Sequence, residues 1–290
     1  MNILVSCLNT NGLGGSELYH YELARELALA GHDVTLFTLR PIVPTDIVRI
    51  KLADYVKQVD INTIDFDCYP DIIISSQPEP TRYIIDAYPN VPIISIIHSE
   101  IRSETPILDS NIKHYIGIRP SIVDMLINQY NIPSEKVSLI YNPIDTSRFY
   151  PKNEESRLHR ITGIFIGEVL DPIRFKAVSH LVKSCVDQEY DLYIMSESRY
   201  DFGVPNVYYL DKRWDTEAVV DGMDFTAGIL LGRTTLEGLC CNVPGFIYNI
   251  NEHGDILSID MVDPDEDIPE CDSKVVASQI IELCNTIING

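Results

Sequence analysis

No run in the 290 residues approaches the roughly 20 unbroken apolar residues that a membrane-spanning helix requires, so the sequence predicts no transmembrane helix. No signal-peptide pattern is expected either, because the chain runs from its first residues into a strand pattern at Asn2–Ser6. Asn-x-Ser/Thr acceptor sites are absent, and the seven cysteines, an odd number, lie scattered in apolar stretches without metal-ligand spacing. This usage predicts a reducing, cytoplasmic compartment. Cys240 and Cys241 are neighbours on a predicted helix and face different directions, which reads as packing and not as a disulfide. Basic residues are scarce, 22 against 43 acidic, leaving a net charge of −21. Such a surface repels polyanions, so nucleic acid is not an expected partner and firm adsorption to anionic membranes is disfavoured.

With 45% hydrophobic residues the chain can build substantial cores, and its length predicts two domains. Short apolar runs alternate with amphipathic stretches of helical length, the pattern of parallel sheets covered by helices. In the first half, strands are predicted at Asn2–Ser6, Asp33–Thr38, Asp71–Ser75, Pro92–Ile97, Tyr115–Ile118 and Ser138–Tyr141. A helix over Ser16–Ala30 lines up Leu18, Tyr21, Leu23, Leu27 and Ala28 and stops at Gly31, completing a βαβ unit. The polar stretch Pro151–Arg160 reads as an interdomain connection, giving domains over 1–152 and 153–290. Beyond it, strands at Thr162–Ile166, Leu192–Met195, Val207–Leu210, Ala227–Leu231 and Gly245–Tyr248 alternate with helices near Phe175–Val186, Trp214–Gly222 and Thr235–Cys241. Six acidic residues between Asp263 and Asp272 read as a solvated loop before a last helix, Ser273–Ile288, which is counted with the second domain.

Two strand-to-helix turns carry candidate chemistry. In the first, Gly14 and Gly15 let the backbone approach a ligand, and the helix behind them offers N–H groups to an anion; a tight turn explains the same residues. The spacing matches neither Gly-x-Gly-x-x-Gly nor a Walker motif, which argues against a dehydrogenase or a P-loop enzyme. In the second, Gly232 ends a strand and Thr234 or Thr235 can cap a helix whose amino end faces a nucleotide diphosphate. Glu237, one turn in, is placed to accept ribose hydroxyls, or else to close a capping box with Thr234. His98 ends an apolar strand at the carboxyl edge of a parallel sheet, where it either meets a ligand or is a satisfied strand-end histidine. Glu100 is a candidate for contact with an acceptor hydroxyl.

Four segments together resemble the family 4 glycosyltransferases, in a short variant. Asn11-Gly12-Leu13-Gly14-Gly15-Ser16-Glu17 through Val34 resembles the family's opening. Val137 through Asp145 and on to Phe149 is similar to the segment that closes its first domain. Phe165-Ile166-Gly167 with Arg174 and Lys176 resembles the first strand and basic pair of its second domain, and Gly232-Arg233-Thr234-Thr235-Leu236-Glu237-Gly238-Leu239 resembles its donor-binding helix.

The resemblance implies the GT-B fold: two Rossmann-like α/β/α domains facing across a cleft, acceptor side first and donor side second. It implies retaining transfer of a sugar from a nucleotide diphosphate sugar to a hydroxyl acceptor, with no cofactor and no metal. Donor contacts fall to Gly14, Gly15, Gly167, Gly232, Arg233, Thr234, Thr235 and Glu237, with His98 meeting the donor sugar. Arg174 and Lys176 would neutralise the departing diphosphate, a role that lowers the transition state more than the ground state; the alternative is that they are ordinary surface charges. Three positions depart from the family pattern: Ile229 and Glu168 stand where a glutamate and an arginine are usual, and Met195-Ser196-Glu197-Ser198 replaces a glycine-rich turn. These departures motivate a competing reading, a non-catalytic partner subunit; a nucleotide-sugar epimerase of related architecture is a third.

Overall fold

The computed structural model describes residues 1–65, 69–100, 104–152, 160–265 and 268–290. The chain divides into two compact units, the first made of Met1–Pro143 with Glu270–Gly290 and the second of Ile144–Pro269.

The first unit is built on a seven-stranded, all-parallel sheet. Its strands are β1 (Asn2–Cys7), β2 (Asp33–Thr38), β3 (Lys57–Asp60), β4 (Ile72–Ser76), β5 (Ile93–Ile97), β6 (Ile112–Gly117) and β7 (Val137–Leu139), in the order β3-β2-β1-β4-β5-β6-β7. The runs Ile72-Ile73-Ile74 and Ile93-Ile94 are buried throughout, as strands covered on both faces must be. The helices are α1 (Gly15–Leu29), α2 (Ile47–Leu52), α3 (Pro78–Ala87) and α4 (Pro120–Asn128). Gly31 takes φ 89°, the left-handed conformation that ends α1 and turns the chain into β2.

The second unit carries β8 (Thr162–Ile166), α5 (Phe175–Asp187), β9 (Asp191–Met195), β10 (Val207–Leu210), α6 (Glu217–Val220), β11 (Phe225–Ile229), α7 (Arg233–Cys240), β12 (Gly245–Ile250) and β13 (Ile256–Val262). The sheet order is β10-β9-β8-β11-β12-β13, parallel except for the final β12–β13 hairpin. Its core gathers Phe165, Val169, Val178, Leu181, Leu192, Ile194, Phe225 and Tyr248.

Two features differ from the expected division. The segment Ile144–Phe149, read as the close of the first domain, folds with the second unit, because Arg148 pairs with Glu217 at 2.8 Å and lies 4.8 Å over the Trp214 ring. The last helix, α8 (Ser273–Asn289), joins the first unit and packs on α1 through a face that includes Val276, Ile280 and Cys284. Most of the expected connection, residues 153–159, lies outside the described residues, as do residues 266 and 267 of the acidic stretch. Among the described residues no helix is long and apolar enough to cross a membrane.

Candidate active site

In open parallel sheets, ligands bind beyond the carboxyl ends of the strands where the strand order reverses. The reversal falls between β1 and β4 in the first sheet and between β8 and β11 in the second. Both glycine-containing turns singled out in the sequence sit at these points.

At the first switch point the loop after β1 is pinned. Gly12 takes φ 122° and donates its N–H to Asp46 at 2.7 Å, while Asn9 accepts from the N–H of Asn11 at 2.9 Å. Gly14 caps α1 without any side-chain help, yet a Cβ there would meet the Glu17 carboxylate at 2.4 Å. A negative charge thus already occupies the space over this helix end, which disfavours the anion expected at Gly14 and Gly15.

Beside this loop lies a polar cluster with no free cation among the described residues. His20, 1% exposed, donates from Nδ1 to the Ser16 carbonyl at 2.5 Å, which fixes the tautomer and makes Nε2 the acceptor for the Ser76 hydroxyl at 2.6 Å. Its ring lies 5.6 Å from that of His98, which stands edge-on to Tyr19 at 4.8 Å. Burial lowers the His20 pKa to about 4, partly opposed by the bond to Ser16. Burial, then the nearby His20 and Arg119, holds His98 well below the ordinary histidine value. Both imidazoles are therefore neutral near pH 7. His98 Nε2, Tyr19 Oη, Ser6 Oγ and Thr10 Oγ1 are buried with no hydrogen-bond partner among the described residues. Such groups are costly unless something else satisfies them.

Sequence reasoning missed His20, Ser76 and Gln77. Gln77 adopts φ 67° and ψ 144°, a region few residues other than glycine visit, and accepts from the N–H of Leu8 at 2.9 Å. It thereby ties the ends of β4 and β1 together, and strain of this kind is concentrated at functional sites. Its sequence offers no warning, whereas the polar Ser75-Ser76 closing an isoleucine run was a usable signal. Glu100 is not available for an acceptor hydroxyl, since it accepts from Arg119 Nε at 2.9 Å and from Ser121. Burial pushes its pKa up, but the hydrogen bonds and charge of Arg119, with Ser121, outweigh that and hold it below the usual value.

At the second switch point Leu230, directly after β11, takes φ 63°, and Gly232 caps α7 with no side-chain hydrogen bond. The helix sits unusually low on its sheet. Cβ atoms added at Gly228, Gly238 and Gly245 would come within 2.6, 2.6 and 2.5 Å of Thr235, Thr226 and Thr235 respectively. Thr235 consequently faces the sheet and is fully buried, while Thr234 donates to the Ile166 carbonyl at the end of β8 at 3.3 Å. Neither caps the helix, and no capping box forms. Glu237 instead accepts from Arg233 Nε at 2.6 Å, one turn apart, both buried. Burial raises the Glu237 pKa, with the Arg233 charge and hydrogen bond opposing.

Gly167 follows β8 and donates to the Met195 carbonyl at 3.1 Å, and Asp171 caps the turn into α5 by accepting from the N–H groups of Ile173 at 2.9 Å and Arg174 at 3.1 Å. The half-buried Arg174 side chain has no ion pair or hydrogen bond among the described residues. Lys176 points elsewhere, to Asp255 at 2.6 Å in an exposed pair, so the expected basic pair is divided. Glu168 turns its carboxylate onto the N–H of Leu170 at 3.2 Å.

Residues 13–148 match the model of Glycosyltransferase Family 4. The match covers most of the first unit and the opening residues of the second. Among solved structures, HepE of Anabaena, crystallised with UDP and glucose, superposes on this chain with a TM-score of 0.63 at 14% identity, covering 100% of this chain and 98% of HepE. TarM of S. aureus gives a TM-score of 0.64 at 10% identity, covering 99% of this chain and 92% of TarM. A glycosyltransferase from Rickettsia africae gives 0.59 at 13% identity, covering 99% and 89%. At these identities the likeness is one of fold, and it extends over both units. The coverage of HepE leaves no large segment of that structure without a counterpart here. No curated protein matches this chain in sequence.

Proposed function

We propose that the protein moves a sugar from a nucleotide diphosphate sugar to a hydroxyl acceptor with retention at the anomeric carbon, the second unit holding the nucleotide and the first the acceptor. The observation that carries this reading is the turn from β11 into α7. Its amino end has no side-chain cap, begins at Gly232, and stands at the switch point next to the end of β8, an arrangement suited to a diphosphate. Arg174, on the turn after β8, has a side chain with no ion pair or hydrogen bond among the described residues. As the anomeric C–O bond breaks, its electrons pass to the departing diphosphate, and a fixed cation stabilises that growing charge without a metal ion. The acceptor hydroxyl attacks the same face and yields its proton to the departing phosphate oxygen. HepE, solved with UDP and glucose, supports a uridine nucleotide as the first donor to try.

The uncharged cluster around His20 and His98 supports an acceptor that presents neutral hydroxyls. Arg233 and Glu237, buried and paired, support α7 from behind. Melting temperature in the presence of UDP-, GDP- and ADP-glucose tests the reading, because a ligand that binds only the folded state raises it. At a hundredfold excess over Kd one nucleotide sugar should stabilise by about 2.7 kcal/mol. No shift with any nucleotide sugar would contradict it.

A further inference from the structure

The second sheet ends in an edge that its sequence leaves open. β13 is the outermost strand, seven residues long over Ile256–Val262, paired on one side only with β12. Edge strands of soluble proteins are ordinarily shortened, interrupted by proline or guarded by charge, because their free N–H and C=O groups recruit another strand. β13 has no proline and one charged residue, Asp260. Successive side chains alternate between faces, so Leu257, Ile259 and Met261 share one face, where they are 69, 42 and 60% exposed. On the opposite face Asn249 donates to Ser258 Oγ at 2.9 Å and to Asp260 at 2.6 Å, so the polar residues are satisfied within the hairpin.

We propose that β13 is a dimerisation edge that pairs antiparallel with β13 of a second copy of this chain, the two-fold axis passing through Ile259. The strand is symmetric about that residue. Leu257 falls opposite Met261 of the second copy, making one continuous apolar stripe, and Asp260 falls opposite a serine hydroxyl. A register centred one residue later would set two Asp260 carboxylates against each other, and cross-strand like charges are destabilising. Charge and apolar pattern thus select the same two-fold register, and the isologous contact closes at two copies. A single strand pair lies at the small end of specific interfaces, so the dimer forms with concentration and is not permanent. Each chain carries −21, so raising salt screens the repulsion and strengthens the association.

Sedimentation velocity on the full chain across a concentration series, at low and high salt, reads the association directly. Expected are a monomer–dimer equilibrium that shifts toward dimer with salt and its loss in Ile259→Lys, whose melting temperature stays that of wild type. Oxidation gives the second measurement. Directly opposite residues in an antiparallel pair lie about 4.5 to 5.5 Å apart at Cα, within disulfide range. Ile259→Cys should therefore cross-link to a covalent dimer, and Ser258→Cys, offset diagonally from its copy by about 7 to 8 Å, should not. A wild-type protein monomeric at every concentration, a dimer that survives Ile259→Lys, or equal cross-linking at both positions would each overturn the proposal.

Discussion

Glu237 illustrates how a residue can be found by its sequence while its partner in the fold is not. Its spacing from Thr234 pointed to a capping box or a ribose contact, but the partner is Arg233, which sequence offered as one more residue of the donor helix. Removing one member of a buried pair leaves the other charge uncompensated, so Glu237→Gln should destabilise the fold by about 3 to 5 kcal/mol, read as a lower melting temperature. A variant that melts normally but no longer binds nucleotide would restore the ribose role. His20 makes a second prediction through pH. Its folded pKa, about 4, lies below the ordinary histidine value of 6.5, so the unfolded chain binds the proton first as pH falls. The stability from a neutral His20 is complete above the unfolded value and declines between about pH 6.5 and 4, by roughly 2 kcal/mol between pH 7.5 and 5. Denaturant titrations should show this acid-side loss reduced in His20→Asn; an identical loss in both proteins would remove His20 from the account.

Among the elements, the long apolar strands and α1, α5 and α8 were legible because period and burial agree in them. β8 and β10 follow the expected bounds without change. β3 was not legible, since Lys57-Gln58-Val59-Asp60 has no apolar run and is held by its pairing with β2 and by polar bonds, Gln58 to the Arg49 carbonyl and the Ile42 N–H to Asp60. β13 was hidden for the opposite reason, having no buried face to produce a clear alternation. α7 was foreseen as a helix, but its closeness to the sheet was not. That closeness reverses an ordinary rule. Gly→Ala inside a helix usually stabilises by up to about 1 kcal/mol, whereas a Cβ at Gly238 would meet Thr226 Cγ2 at 2.6 Å. Gly238→Ala should instead destabilise by about 1 to 3 kcal/mol by overpacking. Thermal unfolding at unchanged or raised temperature would show that α7 rides higher than described.

For the whole molecule, the repeated strand–helix alternation was enough to expect two α/β units, and the family match over residues 13–148 and the likeness to solved glycosyltransferases agree with it. The membership of α8 and of Ile144–Phe149 was not readable, because both depend on long-range contacts, with α1 and with Glu217 and Trp214, that local pattern does not encode. The same holds within the site, where the sequence named Arg174 and Lys176 together and only the fold separates them. The central claim is that the second switch point binds a diphosphate whose charge Arg174 meets as it departs. It is tested most directly by turnover at saturating donor, read as nucleotide release in the presence of acceptor, for wild type, Arg174→Ala and Lys176→Ala. Arg174→Ala should lose about ten- to a hundredfold in turnover, equivalent to about 1.5 to 3 kcal/mol, with a smaller change in donor affinity, while Lys176→Ala stays near wild type. A folded Arg174→Ala protein that turns over at the wild-type rate would contradict the account.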